Sequence, residues 1–242
     1  MPMPRVDAGL FDIMYTCRAM RRLKPDPVPE ETLVALVDAA LQAPSGGNAQ
    51  NWRFIVVRER AQKERLQTLW RTTWSFYRET FATADARPGE DLEARRRMVN
   101  AATWLMDHLA DVPAFVCVCV ARDEALAKAL SSPSTLVKAV RHFGLGGALK
   151  LVTGGSHTAG IATGSTAYPA VQNLLLAARA LGLGAVLTTQ HFFVPGAFEA
   201  VLGVPAHVTL AAIVPVGWPM GTFGPLSRPD ARSVLSWDRY DG

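Results

Sequence analysis

Residues 113–120 read Pro-Ala-Phe-Val-Cys-Val-Cys-Val, an apolar run with no polar position in either register. Successive side chains of a strand point to opposite faces, so this segment predicts a strand buried on both sides. A sheet covered on each face needs a layer above it and a layer below it. The rest of the chain must therefore supply helices for two flanking layers. Apolar residues make up 49% of the 242 positions and charged residues 19%, enough to bury such a core and too apolar for extensive disorder.

The candidate covering elements follow from periodicity. Leu10–Met20 reads as a short helix running into the basic segment Arg18–Lys24, and Pro25, Pro27 and Pro29 then force an extended passage. From Glu30, Leu33, Leu36, Val37, Ala40 and Leu41 share one helical face, until Pro44-Ser45-Gly46-Gly47-Asn48 ends the helix in a polar loop. Phe54–Val57 predicts a strand. Residues 60–112 predict two long helices broken near Pro88-Gly89. Residues 131–165, rich in Gly, Ser and Thr, predict an irregular excursion. Pro169 stands where a helix could begin, ending at Gly182-Leu183-Gly184. Ala185–Thr189 and Val208–Val216 predict strands, with a short helix over Gly196–Leu202 between them. Beyond Trp218 the Pro- and Gly-rich tail should run extended over a surface. No repeat, low-complexity tract or linker divides the chain, so residues 1–242 are expected to form one α+β domain.

Charge and cysteine usage narrow the function. The net charge is +4, with acidic and basic residues interspersed through most of the chain, which argues against nucleic acid and suits small anionic ligands such as phosphate groups. Cys117 and Cys119 should share one strand face, where neighbours two apart are poorly placed to bridge. With Cys17 they are expected to be reduced thiols, implying a cytoplasmic location. Met1–Asp12 lacks the apolar core of a secretory signal. The apolar stretch Leu174–Leu187 is interrupted by Arg179, Gly182 and Gly184, so neither membrane insertion nor a membrane partner is expected.

Familiar catalytic signatures are absent: there is no His-Glu-x-x-His and no Gly-x-Ser-x-Gly. Gly144-Leu-Gly146-Gly147 begins like a dinucleotide fingerprint, but Leu149 replaces its last glycine and no strand precedes it. Gly154–Gly164 lacks the Lys-Ser/Thr ending of a P-loop. The five histidines are scattered, so no metal site and no catalytic acid or base is assigned. What remains are polar residues in loops. Arg18 and Arg21 lie one turn apart, with Arg22 beside them; two guanidinium groups so placed can fork onto one phosphate, or can form a solvated basic face. Ser45, Asn48 and Gln50 offer hydroxyl and amide groups suited to a heteroaromatic edge, or alternatively to turn formation.

Four segments then carry a resemblance. Arg18-Ala-Met-Arg21-Arg22 before the Pro-rich turn, Pro44-Ser45-Gly46-Gly47-Asn48-Ala49-Gln50-Asn51-Trp52, Pro169-Ala-Val-Gln172-Asn173 through Gly184, and Val216-Gly217-Trp218-Pro219 with Arg228-Pro229 and Ser236-Trp237-Asp238-Arg239-Tyr240 resemble, in order, segments of the nitroreductase family. The resemblance implies a three-layer α-β-α sandwich, dimeric, with an extended C-terminal tail and FMN at the subunit interface. It implies that Arg18, Arg21, Arg22 and Arg228 hold the FMN phosphate, with Ala19 standing where a serine is usual. It places Pro44, Ser45, Gly46, Asn48 and Gln50 against the flavin from the partner subunit, and Leu187, Thr188 and Thr189 along the ring. NADH or NADPH would be the electron donor and a nitroaromatic, quinone or related small molecule the acceptor, in ping-pong turnover. Relatives of the same fold that dehalogenate, cleave flavin to a benzimidazole or use a deazaflavin, and a non-enzymatic flavin sensor, are the alternatives.

Overall fold

The computed structural model describes residues 8–87, 89–130 and 132–240. Most of the segment read for a secretory signal, and Pro88 of the expected helix break, lie outside the described residues. At the centre is a four-stranded antiparallel sheet in the order β1-β2-β4-β3, made of β1 (Trp52–Val57), β2 (Ala114–Ala121), β3 (Gly184–Ala185) and β4 (Val208–Gly217). The period-2 reading of β2 holds. Ala114, Val116 and Val118 face one core, and Phe115, Cys117 and Cys119 face the other. Strand β4 does the same with Ala212, Val214 and Val216 against Leu210 and Ile213. Between them, Val118 pairs with Ala212 but Cys119 pairs with Leu210, so Ala211 is the extra residue of a bulge.

The first face is covered by α2 (Glu30–Leu41) and α7 (Gly155–Ala180), through Leu33, Leu36 and Ala40 against Val171, Leu174 and Ala178. The second is covered by α3 (Arg60–Thr83), α4 (Leu92–Asp107) and α8 (Ala197–Leu202), through Leu66, Trp70, Leu105, Met106 and Phe198. Trp70 meets Phe115 and Phe198 edge to face at 5.5 and 5.4 Å, which locks this layer onto β2. The chain is thus α+β in three layers. All three cysteines are free, and Cys117 and Cys119 are buried. Burial pushes both thiols up, Cys119 to about 11, so neither is a thiolate at neutral pH. No helix among the described residues is long and apolar enough to cross a membrane.

Three sequence expectations are corrected. Residues 132–165 are not an irregular excursion: after α5 (Glu124–Leu130), α6 (Pro133–Thr153) and the first turns of α7 fill this stretch. The start signal was present, since Ser132 caps α6 by accepting from the Thr135 amide, with Pro133 at the first turn. Small residues interrupt the apolar period without ending the helix; only Gly144, at φ +69°, kinks it. Secondly, Pro169 lies inside α7 rather than at its start. A proline there leaves carbonyls short of a donor, and the Trp52 indole Nε1 meets the Thr166 carbonyl at 2.9 Å beside the gap. Thirdly, the strand expected over Ala185–Thr189 pairs only at Gly184–Ala185, with an isolated bridge between Thr188 and Ile213. Pro215 lies across from Val186 and accepts its amide at 3.3 Å but has no amide hydrogen to return, so the pairing there is one-sided and becomes reciprocal again only at Thr188.

Candidate functional site

The first helix, α1 (Leu10–Thr16), ends well before Met20, and the chain leaves it to run along the sheet. The Met20 amide donates to the Ala185 carbonyl at 3.0 Å, Lys24 to Trp218 at 2.7 Å, and the Met220 amide donates back to Arg22 at 3.0 Å. Leu23 is buried beneath and bridges Pro219. Gly184 makes this approach possible. A Cβ there would lie 2.7 Å from Leu23 Cδ2 and 2.9 Å from Met20 Cβ. The residues before this seam are therefore held at the end of β3, against the last turns of α7.

There the structure has a cavity of about 170 Å³ lined by Cys17, Arg18, Ala19, Arg21, Leu175, Arg179, Leu183, Ala185, Val186, Leu187 and Phe223. Three of these carry guanidinium groups and none carries a carboxylate. Arg21 is partly buried, makes no ion pair among the described residues, and has its pKa lowered by desolvation. A cation moved out of water without a counter-ion is costly, so the pocket is electrostatically suited to an anion. Arg179 is set in place from two sides: its Nε donates to Thr16 Oγ1 at 2.9 Å and its guanidinium lies 4.1 Å from the Phe223 ring centre. The Cys17 thiol contacts the Leu175 carbonyl at 3.5 Å. Burial raises its pKa, and Arg179 partly opposes this.

The sequence-derived residues divide. Arg18, Ala19, Arg21 and Leu187 line this cavity. Arg22 is exposed outside it, and Arg228 is exposed with its Nη1 donating to the adjacent Ser227 carbonyl at 2.8 Å. Thr188 donates its hydroxyl to the Ile213 carbonyl at 2.9 Å, while Thr189 precedes the short 3₁₀ turn Gln190–Phe193 without a side-chain bond to it. Pro44, Ser45, Gly46, Asn48 and Gln50 form a separate exposed loop near α7, where the Gly46 amide faces Thr166 Oγ1 at 3.5 Å. Ser45 Oγ accepts from the Gln50 amide at 3.1 Å, and Gln50 Nε2 donates to Asn48 Oδ1 at 3.0 Å. Asn48 and Gln50 both adopt positive φ, 54° and 47°, so the loop holds a strained, outward-facing shape. Within one protomer this loop does not line the arginine cavity. Arg179, Cys17 and Phe223 were not assigned to a site from sequence. For Arg179 the signal existed, as a single charge within an otherwise apolar stretch.

The profile described as the nitroreductase family matches residues 16–146 and 159–218. The chain belongs to the nitroreductase family. It is 27% identical over 222 residues to a protein named NADH dehydrogenase from Thermus thermophilus, covering 91% of each chain. It is 28% identical over 216 residues to 5,6-dimethylbenzimidazole synthase from Rhodospirillum rubrum, covering 89% of this chain and 84% of that protein. Among solved structures it superposes on iodotyrosine deiodinase bound to FMN and 3-iodo-L-tyrosine with a TM-score of 0.65 at 23% identity, covering 96% of this chain and all of the other. That likeness concerns the fold. Nitroreductase-family members so similar in sequence carry different names, so membership alone does not select a reaction.

Proposed function

We propose that this protein is an FMN-dependent oxidoreductase that takes electrons from NADH or NADPH and passes them to a small acceptor, a nitroaromatic or quinone, working as a homodimer. The observation that carries the reading is the carboxylate-free cavity lined by Arg18, Arg21 and Arg179, in which Arg21 is desolvated without a counter-ion. A phosphate monoester fits that donor set. At about 170 Å³ the cavity accommodates the phosphate end of a flavin nucleotide rather than the whole molecule. The ring portion would then extend past Leu187 towards Thr189, onto open surface that needs another wall. The Ser45–Gln50 loop of a second copy is our candidate for it.

When bound, FMN supplies the hydride and electron transfer. The protein's part is positional. Arg18, Arg21 and Arg179 anchor the anionic end, and the neutral thiol of Cys17 avoids repelling it. Thr188 has spent its proton on Ile213, so its hydroxyl is left to accept. The Thr189 hydroxyl makes no capping bond to the turn that follows and, with no partner among the described residues, can donate. One open face serves donor and acceptor in turn, which gives ping-pong kinetics.

The visible spectrum of the purified protein is the first test. Oxidised-flavin bands, FMN released by heating, and bleaching on NADH or NADPH addition would support the reading. A colourless protein that takes up no added FMN would remove it. The similarity to 5,6-dimethylbenzimidazole synthase supports one rival, flavin cleavage. It requires a benzimidazole product after aerobic reduction, where simple turnover returns intact FMN.

A further inference from the structure

One buried threonine holds the Ser45–Gln50 loop from both ends. Thr166 lies in α7 and is 4% exposed, between turns that carry the fully buried Ala167 and Ala170. Its hydroxyl oxygen accepts from the Gly46 amide at 3.5 Å, and its carbonyl accepts from the Trp52 indole Nε1 at 2.9 Å. The carbonyl lies beside the gap that Pro169 opens in the helix, where a side-chain donor can reach it. Gly46 stands at the start of the loop and Trp52 at the first position of β1. Residues 47–51 therefore hang between two bonds to the same residue. At the β1 end a reciprocal pair is added, with Asn51 Nδ2 donating to the Ala121 carbonyl at 2.5 Å and the Ala121 amide to the Asn51 carbonyl at 2.9 Å.

The loop needs such an anchor. Gly47, Asn48 and Gln50 have φ of +58°, +54° and +47°, and left-handed backbone is costly for the two residues that carry a Cβ. It persists where the surroundings enforce it. Within the loop the Asn48 amide donates to the Ser45 carbonyl at 2.9 Å and the Ala49 amide to the Gly46 carbonyl at 3.1 Å, alongside the Ser45–Gln50 and Gln50–Asn48 bonds. These bonds fix its curl. Among the described residues, no hydrogen bond of Gly47–Gln50 leaves the loop, so its placement on the fold comes from its two ends. We infer that Thr166 is the positioning residue of this loop, and through it places Asn48 and Gln50 against the flavin of a second copy of the chain. The role in trans rests on the shared FMN site proposed above; the hold on the loop does not.

Thr166→Val keeps the side-chain shape and removes the hydroxyl, and Thr166→Ser keeps the hydroxyl. Hydrogen exchange over residues 45–51 is followed by mass spectrometry, and FMN affinity by fluorescence titration. In Thr166→Val the loop is expected to exchange faster and FMN to bind about tenfold more weakly, the loss of one hydrogen bond. Thr166→Ser is expected to match the wild type in both. Should Thr166→Val not fold, Trp52→Phe removes the bond at the other end and is expected to show the same two changes. The role in trans is read from mixtures unfolded and refolded together. Thr166→Val should regain wild-type sites with Arg21→Ala and none with Asn48→Ala, because the threonine and the asparagine serve the same wall. Unaltered loop exchange in the valine variant, or a serine variant as defective as valine, overturns the anchor. Recovery with Asn48→Ala, or none with Arg21→Ala, overturns its action in trans. Failure of the FMN reading looks different: the wild type itself takes up no flavin, and loop exchange still decides the anchor.

Discussion

Arg21 sits under two opposing demands. Without a ligand its guanidinium is desolvated and unpaired, which lowers its pKa and destabilises the fold. With an anion in the cavity the same group gains charge-assisted bonds of about 1.5–3 kcal/mol each. Arg21→Met should therefore raise the Tm of flavin-free protein by about 2–4 °C for each kcal/mol relieved, while weakening FMN about ten- to hundredfold. Arg18, more exposed, offers less strain to relieve. Arg18→Ala should lose FMN affinity by a similar factor with little change in the Tm of the apoprotein, read by flavin fluorescence titration and thermal melts. His191 gives a pH signature. Desolvation depresses its folded pKa below the ordinary 6.5, outweighing the Leu210 carbonyl and Glu199, which favour the charged form. The unfolded chain therefore binds a proton first, so stability is full above pH 6.5 and falls as pH drops below it. Melts between pH 8 and 5 should show this slope in the wild type and a shallower one in His191→Gln.

At the level of elements, the seam between residues 20–24, β3 and the end of β4 determines where the arginines stand. Gly184→Ala would drive a methyl to within 2.7 Å of Leu23 and 2.9 Å of Met20. The expected cost is about 1–3 kcal/mol in denaturant melts, with a parallel loss of FMN affinity because Met20 and Ala185 are joined beside the cavity. An unchanged FMN affinity in a destabilised variant would detach the seam from the site. Elements with a strong period were legible in sequence: β2 from its two-sided apolar run, α2 from its single apolar face, and β4. The stretch 131–165 was not, because glycine and serine spacing resembles a loop while Ser132-Pro133 opens a helix. Strand β3 was overextended because nothing local to Ala185–Thr189 discloses that Pro215 lies opposite. The site was half legible. Arg18 and Arg21 came from their spacing and the resemblance, whereas Arg179 joins them only through the packing of α7, 158 residues away from Arg21 in sequence.

For the whole molecule, the proposed flavin site needs a second wall. The arginine cavity and the Ser45–Gln50 loop lie apart within one protomer, and exposed apolar side chains such as Leu136, Val137, Phe143, Leu145 and Leu149 leave α6 with uncovered surface. Trp237 and Tyr240 of the tail are likewise exposed. A twofold dimer that brings the loop of one copy to the cavity of the other would cover apolar surface and complete two equivalent sites. Subunit complementation separates this from a site built in one chain. Arg21→Ala and Asn48→Ala, each defective in FMN binding alone, are mixed, unfolded together and refolded. If the site is shared, a mixed dimer pairs the intact arginine cavity of one chain with the intact loop of the other, leaving its second site doubly damaged. Random pairing makes half the dimers mixed, so about a quarter of all sites should regain wild-type FMN affinity. If cavity and loop serve one chain's own flavin, every site keeps one defect and nothing is regained. Sedimentation of the flavin-loaded wild type as a monomer would exclude the shared site outright.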